Sequence, residues 1–152
     1  MQLADFITAD AVLLHLKPSS KKQLLQQIAT SALELLPTDL QIDAKGLTHI
    51  LLEREKIRST GMGRGIAIPH GRMEGLERIF GLFTRLDTPV PYDAVDRHPV
   101  DLVFLLLSPV SAGVEHLRAL ARIARSLRED SLCAKIRGAR DQASLYALLA
   151  DA

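Results

Sequence analysis

Tryptophan is absent, and aromatic residues make up only 4% of the 152-residue chain. Surfaces that recognise exposed bases or sugars rely on aromatic stacking, so both classes are disfavoured. Cysteine is almost absent too, since Cys133 stands alone with no intrachain partner. That excludes a disulfide framework, and a reducing compartment, the cytoplasm, is expected. An excess of one charge sign is also lacking. Lys+Arg 19 against Asp+Glu 18 leaves a net +1, which gives no global field to attract nucleic acid or an anionic membrane. No basic residue precedes Lys17, so MQLADFITAD does not read as a secretory signal. The strongest apolar run, Val100 to Val110, contains Asp101, Ser108 and Pro109. It falls well short of the roughly 20 residues a membrane helix needs. No internal repeat, low-complexity tract or long linker divides the chain.

The rest of the composition, 47% hydrophobic and 24% charged, is that of a globular protein able to bury a core without staples. One domain over residues 1–152 is expected. Ala11 to Leu16 reads as a short buried strand. Ser19 and Ser20 offer caps for a helix with Leu24, Leu25, Ile28, Ala29, Ala32, Leu35 and Leu36 on one face, closed by Pro37. Asp43 caps a second helix that buries Leu47, Ile50, Leu51 and Ile57. STGMGRG reads as loop, and the IAI after it as a short strand. Ile79 to Leu86 reads as a strand broken by Pro89 and Pro91, and Asp101 to Leu107 as a central strand covered on both faces. A helix over Gly113 to Leu127 is expected to turn Val114, Leu117, Leu120, Ala121, Ala124 and Leu127 inward. Shorter helices follow over Ser131 to Ile136 and, capped by Asp141, up to Leu149. Strands interleaved with helices predict an α/β domain, a mixed sheet flanked by helices on both sides.

Chemistry concentrates in STGMGRGIAIPHGR, Ser59 to Arg72. Gly61, Gly63 and Gly65 strip side chains from a loop whose amides can then approach an anion. The pattern is neither a Walker loop nor a dinucleotide fingerprint, and the bland reading is a turn between helix and strand. His70 adds weight to the functional reading. It follows a three-residue apolar strand and Pro69, at a strand end, where α/β folds present reactive groups. Its imidazole is mostly neutral and nucleophilic near pH 7. A phosphoryl group placed there brings roughly −1.5 to −2 charges that positive groups and N–H donors must meet. His116, in the first turn of a predicted helix, and Arg54, at the end of the second, are the first candidates. Arg64 and Arg72 flank the histidine strand. Each arginine taken alone reads equally as a solvated surface charge.

The same stretch resembles the phosphorylation-site signature of the fructose/mannitol-type enzyme IIA domains of the bacterial phosphotransferase system. It is most similar to their nitrogen-regulatory branch, called IIA-Ntr or PtsN. The likeness extends over LEREKIRSTG, TPVPYDAVDRHPVDLVFLLLSP and EHLRALARIARSL, from about Leu3 to Leu149. It implies a mixed sheet flanked by helices, with His70 as the phosphoacceptor through its Nε2 (tele) nitrogen. It assigns His116 and Arg54 as the other catalytic residues, with Gly63, Arg64 and Gly65 as phosphate-binding. It implies no cofactor and no metal. The donor would be a phosphohistidine carrier, NPr or HPr. The expected function is regulation of target proteins, kinases or transporters, by phosphorylation state. The alternative is a sugar relay that passes the group to a cysteine on a IIB partner. Nitrogen-branch members often carry Asn where this chain has Arg64, and no IIB or permease segment is attached to it.

Other constellations carry less. His15 and His49 read as structural or half-buried, and His98 as a loop residue. No spacing suits zinc, HExxH is absent, and no G-x-S-x-G marks a serine hydrolase. Arg118, Arg122 and Arg125, with Arg128 beyond them, form a basic helix face. It reads equally as a solvated face and as a docking surface for an acidic carrier or target.

Overall fold

The computed structural model describes residues 1–152. Its sheet is built around β6 (Val100–Pro109), buried along nearly its whole length. β5 (Phe80–Val90) pairs antiparallel with β6 on one side and parallel with the short β1 (Val12–Leu13) beyond. On its other side β6 pairs parallel with β3 (Ile66–Ala67) and then with β4 (His70–Met73), and β2 (Gly61–Gly63) closes that edge antiparallel to β3. β3 and β4 thus act as one strand interrupted at Ile68 and Pro69. The result is a mixed six-stranded sheet with five α-helices.

The helices begin where side-chain caps allow. Ser20 accepts from the amide of Gln23 at 3.1 Å to start α1 (Lys21–Leu35). Asp43 accepts from the amide of Gly46 at 2.8 Å to start α2 (Ala44–Ile57). Asp141 accepts from the amide of Ser144 at 2.7 Å to start α5 (Gln142–Ala150). Each cap satisfies an amide the first helical turn leaves orphaned. Between them lie α3 (Val114–Leu127) and α4 (Asp130–Gly138). Leu24, Leu25, Ile28, Leu47 and Leu51 join the leucines of β6 in one continuous apolar core.

Successive residues of a strand face opposite sides of the sheet, and β4 uses this to place the site. A Cβ on Gly71 would lie 2.8 Å from Ile50 of α2, so this position faces α2 at close range. His70 therefore faces the opposite side, where α3 packs on β6. Gly71 is required by this helix–sheet contact.

Several sequence expectations fail for identifiable reasons. STGMGRG is not all loop, because Gly61 to Gly63 pairs with β3. Pro89 does not break β5. The ladder is already irregular between Arg85 and Val90, and Pro89 is exposed there, so no strand amide is missed. Ile57, at the last position of α2, is 81% exposed. His15 and His49 are exposed rather than half-buried.

The largest misreading concerns the phase of α3. Its buried face is His116, Ala119, Ile123, Ser126 and Leu127, while Val114 and Leu117 are each 61% exposed. Two stripes of helical period run along α3, one residue apart, or about 100°. Counting apolar residues selects the outer stripe. The inner one includes His116, whose ring finds the Ser108 hydroxyl inside, and the small Ser126, which packs there with little exposure.

Candidate phosphoryl-transfer site

α2 ends beside the start of β4, and this places two predicted residues in contact. Arg54 donates from Nε to Nε2 of His70 at 3.2 Å, and its Nη1 is tied to the carbonyl of Arg58 at 2.7 Å. On the far edge of the ring, Nδ1 of His70 lies 2.7 Å from the carbonyl of Ile68. A carbonyl only accepts, so the proton sits on Nδ1 and Nε2 keeps its lone pair. Ile68 can make this contact because it lies in the gap between β3 and β4. His70 is half-buried, and burial, with the nearby Arg54 charge, lowers its pKa below the ordinary histidine value. Its contact with the Ile68 carbonyl and the charge of Glu55 oppose that shift without reversing it.

The third predicted residue faces this pair from α3. The ring of His116 is 5.6 Å from that of His70, centroid to centroid, at 55°. Its Nδ1 lies 2.7 Å from Oγ of Ser108 on β6. Burial, then the charge of Arg72 and the neighbouring His70, pull its pKa down to about 4. His116 is accordingly neutral near pH 7.

Gly63, Arg64 and Gly65 lie in the β2–β3 turn, and all three have positive φ. A Cβ at Gly63 would lie 3.0 Å from the Asp96 carboxylate, and at Gly65 2.8 Å from both Arg137 and Asp101. The amide of Arg64 donates to Asp96 at 2.8 Å. These contacts account for the glycines as turn and packing positions, and they leave the Arg64 amide already engaged. The Arg64 side chain crosses to the end of α3, where it donates to the carbonyls of Leu127 and Arg128, each at 3.0 Å, and pairs with Asp130. With φ of 58°, Arg64 occupies a left-handed conformation that Asn tolerates better than Arg does. Arg64, Arg54, Arg58, Arg128 and His70 all line an open cleft of about 750 Å³, while Gly63 and Gly65 do not. Leu120 and Ala124, from the outer stripe of α3, form its apolar wall.

A polar cluster behind the cleft escaped the sequence reading. Glu55, next to Arg54, pairs with Lys21 at 2.8 Å, accepts from the amide of Thr60 at 3.0 Å, and accepts from the Thr60 hydroxyl. The Tyr92 hydroxyl lies 2.9 Å from that of Thr60, and burial raises the Tyr92 pKa far above normal. The cluster joins α1, the end of α2, the start of β2 and the β5–β6 loop. Glu55 and Thr60 are five residues apart, but Lys21 and Tyr92 come from distant parts of the chain, so sequence spacing does not announce the cluster. Ser108 was missed for the same reason. No group of three His, Cys, Asp or Glu residues is arranged to hold a metal ion.

The family model described as "Phosphoenolpyruvate-dependent sugar phosphotransferase system, EIIA 2" matches residues 5–152. The chain belongs to this EIIA type 2 family. It is 47% identical to a nitrogen regulatory protein of Bradyrhizobium diazoefficiens, over 99% of this chain and 95% of that protein. It is 36% identical to the nitrogen regulatory protein of Escherichia coli K12, over 99% and 91%. The crystal structure of nitrogen regulatory protein IIA-Ntr from Neisseria meningitidis superposes with a TM-score of 0.87 at 32% identity, covering 97% of this chain and 98% of that one. The E. coli mannitol IIA domain shares the fold with a TM-score of 0.76 at 17% identity, over 94% and 98%. Within the EIIA type 2 family, the chain is therefore most like its nitrogen-regulatory members. No helix is long and apolar enough to cross a membrane.

Proposed function

We propose that this EIIA-type protein accepts a phosphoryl group on Nε2 of His70 from a phosphohistidine carrier, NPr or HPr. Its state of phosphorylation then governs binding to regulatory targets. The observation that carries the reading is the His70 tautomer, with Nδ1–H held by Ile68 and the Nε2 lone pair facing the cleft, where it accepts from Arg54 Nε. In the transfer, the bond from phosphorus to the donor imidazole breaks, and that ring leaves with the electron pair. Arg54 Nε–H releases the Nε2 lone pair of His70, which makes the new bond, and turns to the phosphoryl oxygens. No proton has to leave Nδ1, and its bond to Ile68 strengthens as the ring gains positive character. Arg54 then meets the transferred oxygens, supported by His116, in a site where fixed donors cost no reorganisation.

Docking fits the same surface. The outer stripe of α3, Leu117 to Ala124, gives an apolar patch beside the acceptor, with Arg118, Arg125 and Arg128 exposed around it. A small patch of this kind suits brief carrier contact of about 1,200 Å² or less. Buried, unpaired Cys133 suits a reducing compartment, the cytoplasm. The relatives named nitrogen regulatory protein support regulation, and the solved complex of E. coli mannitol IIA with phosphorylated mannitol IIB supports the alternative of a IIB partner.

The test is incubation with phosphorylated NPr and, separately, phosphorylated HPr, followed by mass-spectrometric mapping. Label on His70 is expected, and label elsewhere or none overturns the reading. Subsequent addition of a IIB domain separates regulator from relay, because rapid loss of label to its cysteine favours the relay.

A further inference from the structure

The partner of His116 is a serine at the end of the central strand. Ser108 is fully buried, and His116 is only 5% exposed. Their contact, Nδ1 to Oγ at 2.7 Å, admits two proton arrangements. Either the hydroxyl donates to Nδ1, or Nδ1–H donates to the hydroxyl.

Burial decides between them. His116 Nδ1 is the only hydrogen-bond partner of Ser108 Oγ. If the hydroxyl accepted, its own proton would be left without an acceptor in a dry site. Leaving a buried donor unmade costs the full desolvation of that group. If the hydroxyl donates, its proton and Nδ1 are both satisfied. The ring proton then sits on Nε2. That nitrogen has no protein partner, yet the only buried side-chain N and O atoms without one belong to Gln27 and Arg122. Nε2 therefore reaches solvent, which can satisfy it as a donor. The two rings lie 5.6 Å apart, so this N–H borders the space a group on His70 would fill.

We propose that Ser108 is a positioning residue, whose hydroxyl donates to Nδ1 of His116 and thereby keeps the ring proton on Nε2 as a hydrogen-bond donor toward a phosphoryl group on His70. This rests on the acceptor role proposed for His70. The two imidazoles then carry opposite tautomers, one offering a lone pair and the other an N–H. The depressed pKa of His116 supports the assignment, because only a neutral ring has a tautomer to fix.

The experiment is nitrogen-15 NMR of the histidine rings in the wild-type protein, Ser108→Ala and Ser108→Thr, with transfer rates from phosphorylated carrier measured alongside. The wild type is expected to show His116 as the Nε2–H tautomer. Ser108→Ala is expected to give a mixture and a transfer rate about tenfold lower, as for one neutral hydrogen bond. Ser108→Thr, which keeps the hydroxyl, is expected to recover both. An Nδ1–H tautomer in the wild type overturns the proposal without any variant having to fold. So does an unchanged tautomer in Ser108→Ala. Nε2–H in the wild type with no uptake of label on His70 overturns the acceptor role while supporting the placement of the proton by Ser108.

Discussion

His70 and His116 are the same residue type, lie 5.6 Å apart, and are prepared for opposite work. Nδ1 of His70 meets a carbonyl, and that of His116 meets a hydroxyl. The first partner permits one tautomer only. The second permits either and is decided by its burial. On the proposed roles, a single change of neighbour separates a nucleophile from a hydrogen-bond donor, with no difference in residue type. Both rings are held neutral by burial and nearby positive charge, which makes tautomer rather than protonation the variable that matters.

The comparison breaks most completely at the acceptor. His70→Ala is expected to abolish uptake of label from phosphorylated carrier, while His116→Ala keeps measurable uptake. Equal uptake by His70→Ala and wild type would reverse the assignment. Next in size is Arg54→Gln, expected to slow transfer about 100-fold, the worth of a charge-assisted hydrogen bond. His116→Ala should cost about tenfold, as for a neutral donor, and single-turnover rates on the two variants check that order.

The effect of pH sharpens the pair further. Both histidines titrate at lower pH folded than unfolded, His116 at about 4 against an ordinary 6.5. Between these values the unfolded chain binds a proton that the fold refuses. Their contribution is complete above pH 6.5 and is lost as pH falls toward 4. Urea midpoints are expected to drop between pH 7 and pH 5, and His116→Gln should lessen the drop. Transfer should also persist below pH 6.5, since Nε2 of His70 resists protonation there. The smallest effect on transfer is expected from Arg64→Ala, less than about threefold, with stability lowered by about 1 kcal/mol as the carbonyls at the end of α3 lose their donor. A transfer loss as large as that of Arg54→Gln would support a phosphate-binding role for Arg64.

Much of this was legible along the chain. Ser20, Asp43 and Asp141 marked three helix starts because a cap acts on amides two or three residues away. The apolar run to Leu107 marked the central strand because burial on both faces removes alternation. The inward face of α3 was not legible, since two stripes share one period and only the packed sheet selects between them. Pro69 and the strand end singled out His70 as a candidate, and the family resemblance singled out Arg54 and His116, which the structure places beside it. Their actual contacts, and the roles of Glu55, Thr60, Tyr92 and Ser108, were not.

By itself the sequence determined most of the elements, the candidate imidazole and the family, because these depend on local spacing and on a motif in contiguous residues. Tertiary structure alone decided which nitrogen of each imidazole carries its proton. That depends on the Ile68 carbonyl, freed by a gap in a strand, and on the Ser108 hydroxyl, brought to α3 from the next strand. A hydrogen bond is set by distance and direction in space, and neither is written in the order of residues.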